Sequence, residues 1–210
     1  MSKIFLTNND KIYEGVENLP LLDINFFDIG IDLSDADALV FTSKNSVKAL
    51  EKSKINWKQI PSYCISEPTA TYLKSLNANL AYTGTNGHGN EFAKQLIDLL
   101  KEKKVVYFRA KEVVSNLESI LKTNNIDLTS IIAYETTCKK TNYIKIEKNS
   151  TIIFTSPSAI NCFFENFNWD DSFKAICIGK TTASYLPKNI NYKIPHKTSI
   201  EASINLAKLI

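Results

Sequence analysis

Two short hydroxyl-bearing stretches recur in this chain at one fixed offset. Phe41-Thr42-Ser43 returns as Phe154-Thr155-Ser156, and Thr69-Ala70 returns as Thr182-Ala183, each 113 residues on. Cys64-Ile65 and Tyr72-Leu73 recur at the same offset as Cys177-Ile178 and Tyr185-Leu186. One register held across two separate blocks reads as two related halves with a cleft between them. Each Thr-Ser pair follows a buried-strand pattern and opens a helix. Ser43 and Ser156 are good N-cap residues, and Pro157 suits a first helical position. The free N–H groups at such a helix start attract carboxylate or phosphate. Plain helix capping needs the same residues, and both readings stand here. Thr69 and Thr182, with Thr181 beside the latter, form the second equivalent pair.

Two further side chains could act on a ligand. Arg109 closes an apolar strand pattern, where open α/β sheets hold ligands, and could fork onto a carboxylate or make a surface salt bridge. Tyr134 ends another strand at a proposed domain junction, where a phenol can donate a proton or pack with a wet hydroxyl. Other chemistries lack their residues. Gly179-Lys180-Thr181 is no P-loop, because Lys174 stands where the first glycine is required. Gly84, Gly87 and Gly89 run G-x-x-G-x-G, not the dinucleotide order. They suit a flexible loop before a helix, or a loop that closes on ligand. His88 and His196 are the only histidines and no C-x-x-C pair occurs, so metal chemistry is poorly supplied. The four cysteines read as buried free thiols.

Strand and helix patterns alternate along the chain and would position these groups. Strands are expected over 3–7, 39–42, 63–65, 105–108, 131–134, 151–155 and 175–178. Helices are expected over 43–52, 68–76, 91–101, 114–121, 158–164, 181–186 and 200–209. The alternation predicts an α/β fold with parallel sheets. The first strand precedes the first repeat, so one domain inserted within the other is the simplest arrangement. Residues 1–24 and 140–210 would form a discontinuous domain, 30–134 the inserted one, and 25–29 and 135–139 the linkers.

With 210 residues, 44% of them apolar, the chain has room for two small domains. A net charge of +3, spread over scattered lysines with a single arginine, argues against nucleic acid and suits a small polyanion. No run spans a bilayer, and the N-terminal stretch lacks the core of a signal peptide. A cytoplasmic protein is expected.

In order along the chain, Val40-Phe41-Thr42-Ser43-Lys44-Asn45-Ser46-Val47, Thr69-Ala70, Gly89-Asn90-Glu91, Tyr134-Glu135-Thr136, Phe154-Thr155-Ser156-Pro157-Ser158-Ala159 and Ile178-Gly179-Lys180-Thr181-Thr182-Ala183 resemble the uroporphyrinogen-III synthase family. The resemblance implies two flavodoxin-like α/β domains, one inserted in the other, joined by a two-stranded linker. It implies hydroxymethylbilane, a linear tetrapyrrole with eight carboxylates, as substrate, and no metal or organic cofactor. It also implies a monomer that makes at most brief contact with porphobilinogen deaminase. By match to the family motifs, Tyr134 is the acid that helps the terminal hydroxyl leave as water. Ser43, Thr69, Ser156, Ser158, Thr181 and Thr182 would grip the carboxylates. The azafulvene so formed is attacked at the substituted carbon of ring D, and a spiro intermediate fragments and recloses with that ring inverted. Much of the catalysis is then a matter of holding the chain in position. Three departures bear on ligand contacts: a nearly missing first helix, Asn8 and Asn9 where an arginine often follows the first strand, and Ser66 in place of a glycine. The rival readings are a non-catalytic two-domain clamp for an anion and a flavin-binding electron carrier.

Overall fold

The computed structural model describes residues 3–7 and 11–210. In chain order the strands are β1 (Ile4–Leu6), β2 (Glu17–Asn18), β3 (Leu22–Phe26), β4 (Ala38–Phe41), β5 (Ser62–Cys64), β6 (Leu80–Thr83), β7 (Lys104–Ala110), β8 (Asp127–Cys138), β9 (Thr151–Phe154), β10 (Lys174–Cys177) and β11 (Tyr192–Lys193). The helices are α1 (Lys44–Lys52), α2 (Glu67–Ser75), α3 (Gly89–Leu96), α4 (Leu117–Thr123), α5 (Pro157–Asn166), α6 (Lys180–Ala183) and α7 (Ile200–Ala207).

The chain divides into two compact units, 1–23 with 137–210, and 24–136. The discontinuous unit carries the sheet β2-β1-β9-β10-β11, with every neighbouring pair parallel. The continuous unit carries β6-β5-β4-β7-β8, also parallel, with β3 beyond β8. All four residues of β4 and of β9 are buried. That is the signature of a central parallel strand covered on both faces. In the continuous unit, α1 and α2 pack one face through Val47, Leu50, Ala70 and Leu73. Helices α3 and α4 cover the other through Phe92, Leu96, Leu117 and Leu121. In the discontinuous unit, α5 covers one face with Ile160 and Phe163, and α7 the other with Ile204 and Ala207.

Strand order reverses once in each sheet, between β1 and β9 and between β4 and β7. Connections leave such a point toward opposite faces and open a crevice beyond the carboxyl ends of the strands. The two Thr-Ser stretches sit at these points, one directly after β9 and the other directly after β4.

Several elements differ from expectation. Helix α6 has only four residues, because Pro187 close behind it cannot continue a helix. Helix α4 starts at Leu117, where the Asn116 amide donates to Asn90 Oδ1 (2.8 Å); Val113 and Val114 before it are exposed. No helix lies between β1 and β2 among the described residues, and Asn8 and Asn9 fall outside those residues. The four cysteines are not all free thiols. Cys138, at the end of β8, is disulfide-bonded to Cys162 on α5. Cys64 and Cys177 are buried thiols, and burial pushes Cys177 up to about 12.

Candidate active site

In the continuous unit, β4 delivers Thr42 and Ser43 to the carboxyl edge of the sheet. Ser43 has extended backbone (φ −160°) and its hydroxyl accepts from the Asn45 amide at 3.1 Å. It is the N-cap of α1. Thr42 Oγ1 lies 3.1 Å from the Tyr107 hydroxyl on the neighbouring strand β7.

Tyr134 reaches this turn through a local irregularity. Arg109 pairs with Ile132, but Ala110 pairs with Tyr134, so β8 carries one extra residue, Ala133. Without it, Tyr134 would fall on the same face as Ile132, two residues back. The bulge re-aims it into the α1–α2 face, where Ala133 and Tyr134 both join the core with Phe41 and Phe108. Tyr134 is 7% exposed. Burial raises its phenol above the usual range, and the adjacent Ser43 hydroxyl offsets part of that rise. The phenol therefore carries its proton at neutral pH.

Arg109 is engaged within its own unit. One guanidinium nitrogen donates to the carbonyls of Ala110 (2.9 Å) and Lys111 (3.0 Å). Its Nε lies 3.4 Å from Glu118 on α4. Lys122 foremost, then Ser130 and Arg109, hold Glu118 below the usual carboxylate range. Thr69 is buried in the first turn of α2, with 2% exposure.

The discontinuous unit repeats the plan. The Thr155 amide donates to Thr7 Oγ1 (3.1 Å) and Thr155 Oγ1 to the Thr7 carbonyl (2.7 Å), stitching β9 to β1 where the order reverses. Ser156 caps α5 by accepting from the Ala159 amide at 3.2 Å, and Pro157 takes the first turn. Ser158 and Thr181 are exposed, whereas Thr182 is buried. Gly179 and Ser66 are the N-caps of α6 and α2, both extended (φ −169° and −158°). A Cβ at Gly179 would meet only Thr198, at 3.6 Å. No close approach requires glycine there, and serine at position 66 is accommodated for the same reason.

In the G-x-x-G-x-G stretch, Gly84 answers to packing and Gly87 to backbone conformation. A Cβ at Gly84 would meet the Ile65 carbonyl oxygen and Phe92, each at 2.7 Å, and Gly87 has φ +72°. Among the described residues no group of His, Cys, Asp and Glu is placed to hold a metal, and no helix is long and apolar enough to cross a membrane. A surface hollow over α4, lined by Ser115, Asn116, Glu118, Ser119, Lys122 and Thr123, contains none of the candidate residues. Sequence reasoning passed over Tyr107, named Thr42 only as part of the repeat, and missed their pairing. Their only signal was a tyrosine in an otherwise apolar strand, one register step from the repeated Phe-Thr-Ser.

Comparison with known proteins gives the family. The family model described as uroporphyrinogen-III synthase HemD matches residues 15–205. The chain belongs to the uroporphyrinogen-III synthase family. The crystal structure of uroporphyrinogen-III synthetase from Helicobacter pylori 26695 is 32% identical, with a TM-score of 0.87 over 100% of this chain and 99% of that one. A mutant uroporphyrinogen III synthase from the extremely thermophilic bacterium Thermus thermophilus, 12% identical, shares the fold with a TM-score of 0.61 over 100% and 98% of the two chains. The porphyrin biosynthesis protein HemD of Ruminiclostridium josui is 24% identical over 95% of this chain. The chain spans 40% of the length of that curated relative.

Proposed function

We propose that this family member is a uroporphyrinogen-III synthase, which removes water from hydroxymethylbilane and closes the macrocycle with ring D inverted. The observation that carries the reading is the full-length likeness to the Helicobacter pylori synthetase. It is joined by the presence, at the reversal point of each sheet, of a capped helix start that suits carboxylates. In this reading the two units are flavodoxin-like domains. The order β2-β1-β9-β10-β11 is, counted along the chain, 2-1-3-4-5, the order of flavodoxin. The other unit runs 3-2-1-4-5 from β4 onward, five strands of the six-stranded dinucleotide order, so it is flavodoxin-like in being doubly wound and not in its strand order. Both place the reversal beside the repeated loop. In this reading 25–29 and 135–139 are the linkers; support comes from β3 and β8, which run across the unit boundaries after Asp23 and Thr136.

Tyr134 then acts as the acid. Like any phenol it is protonated at neutral pH, and burial raises it further above the usual range; loss of the substrate hydroxyl needs a proton at that moment. Ser43, Thr69, Ser156, Ser158, Thr181 and Thr182 bind carboxylates. The exposed Ser158 and Thr181 offer their hydroxyls directly, and Ser43 and Ser156 orient the helix starts. Arg109, occupied by Glu118 and two carbonyls, contributes positive potential at the rim rather than a free fork. The protein works without metal or organic cofactor, as a cytoplasmic monomer that meets porphobilinogen deaminase only in passing. The test is an isomer assay. Hydroxymethylbilane is made in situ with the deaminase, this protein is added, and the oxidised uroporphyrins are separated by chromatography. Predominant isomer III is expected. Only isomer I, the product of spontaneous closure, from folded protein would reject the reading in favour of an anion-binding clamp.

A further inference from the structure

Two buried phenols converge on one turn from opposite faces of the same sheet. Tyr134 comes from the α1–α2 face and lies beside Ser43. Tyr107 belongs to the α3–α4 face, packed with Val40, Phe92 and Leu117. Only 1% of Tyr107 is exposed, so its hydroxyl must find a partner within the protein, and that partner is Thr42 Oγ1 at 3.1 Å. Val40 is the register partner of Tyr107 on β4, which sets the ring along the strand so that its hydroxyl arrives two residues further on. An apolar residue would pack this face equally well. A tyrosine there adds one thing, a hydrogen bond to the turn carrying Ser43. The two phenols are also close enough to influence each other electrostatically, with Arg109 near the same ring.

We propose that Tyr107 is a positioning residue for the reaction: its hydroxyl holds Thr42 and so sets the turn on which Ser43 and Tyr134 meet. The inference rests on the reading of Tyr134 as the acid. Freed of this bond, the Thr42–Ser43 turn loses the restraint from the α3–α4 face. Tyr134 then samples poses that do not reach the leaving hydroxyl, and small displacements of such groups are costly in rate. The ligand-binding helix start itself stays capped by Ser43, so substrate affinity is preserved.

The experiment compares the full-length parent with Tyr107→Phe, Thr42→Val and the double variant. Removing either hydroxyl should lower kcat by about five- to tenfold, the weight of one hydrogen bond, and leave KM within about twofold. The double variant should be no slower than either single one, because all three lack the same bond. With isotope-labelled tyrosine, the NMR resonance of the Tyr134 ring should move in both single variants, and this readout does not depend on turnover. An unchanged Tyr134 resonance in folded Tyr107→Phe overturns the positioning role even if the parent makes only isomer I, an outcome that would separately reject the synthase reading. Full turnover by Tyr107→Phe, or additive losses in the double variant, overturns it as well.

Discussion

Removing the Tyr134 hydroxyl separates catalysis from structure. Tyr134→Phe keeps the ring that packs against Phe41 and Phe108 and deletes one oxygen beside Ser43. The structural cost is that of one hydrogen bond between largely buried groups, about 1 kcal/mol. For a chain of this size that lowers the melting temperature by about 2–4 °C. The catalytic cost is different in scale. A positioned general acid contributes about two to four powers of ten, or about 3–5 kcal/mol of barrier. The two effects therefore cannot be confused. Slower enzymatic closure also gives spontaneous closure time to compete, so the isomer I fraction should rise with variant protein and fall again as more is added. The assay is the deaminase-coupled isomer separation, run beside circular dichroism and a thermal melt. A variant that melts within a few degrees of the parent and retains turnover to within about threefold would remove Tyr134 from the chemistry, since no general acid is worth so little.

Alkaline titration should weaken the continuous unit. Burial raises both Tyr107 and Tyr134 above the ordinary value, so the fold favours their neutral forms. Their contribution is complete below pH about 10 and fades as pH climbs through the raised values; urea midpoints that stay level from about pH 9 to well past the ordinary phenol range would contradict this. The Cys138–Cys162 bond closes a stretch of 24 residues, which on chain entropy is worth about 3 kcal/mol. Reductant should lower the parent's melting temperature and leave Cys162→Ala unmoved, and a parent indifferent to reductant would deny the bond any role. Gly84→Ala forces a methyl against the Ile65 carbonyl and Phe92 and should cost about 1–3 kcal/mol. Gly30→Ala meets nothing within 4 Å and should cost under about 0.5 kcal/mol, so equal denaturant midpoints for the two would refute the packing account.

Central elements were legible in the sequence because their burial is complete. β4 is an unbroken apolar run and β9 has three apolar residues after Thr151, each followed by Thr-Ser, and the caps Ser43 and Ser156 stand where helix-start chemistry puts them. Peripheral elements were less so. β2 and β11 have two residues each, too few to show a period, whereas β3, Leu-Asp-Ile-Asn-Phe, does alternate half-buried apolar and exposed polar positions and its signal was passed over. Hydroxyl-bearing candidates could be named from the repeat, but their accessibility could not. Ser158 and Thr181 face solvent whereas Thr69 and Thr182 are buried, a distinction that depends on which face each short helix turns outward. The route by which Tyr134 reaches Ser43 was invisible, since the extra residue in β8 depends on a register with β7 that no local pattern encodes. The Cys138–Cys162 pairing likewise depends on the end of one strand meeting a helix 24 residues later.

The pairing of β1 with β9, Ile4 against Thr151, has a consequence for how the chain comes into being. β2, on one side of β1, follows it closely along the chain, yet β9, on the other side, appears almost 150 residues later. At about 5–20 residues per second the wait lasts roughly 7–30 s. Meanwhile the continuous unit, complete at Thr136, has all its own strands and can fold beside the ribosome. An apolar strand with one edge left open that long invites association with other nascent chains. At three residues, Ile4–Leu6, β1 offers them very little to grip, and the brevity of this central strand protects the newborn chain while it waits.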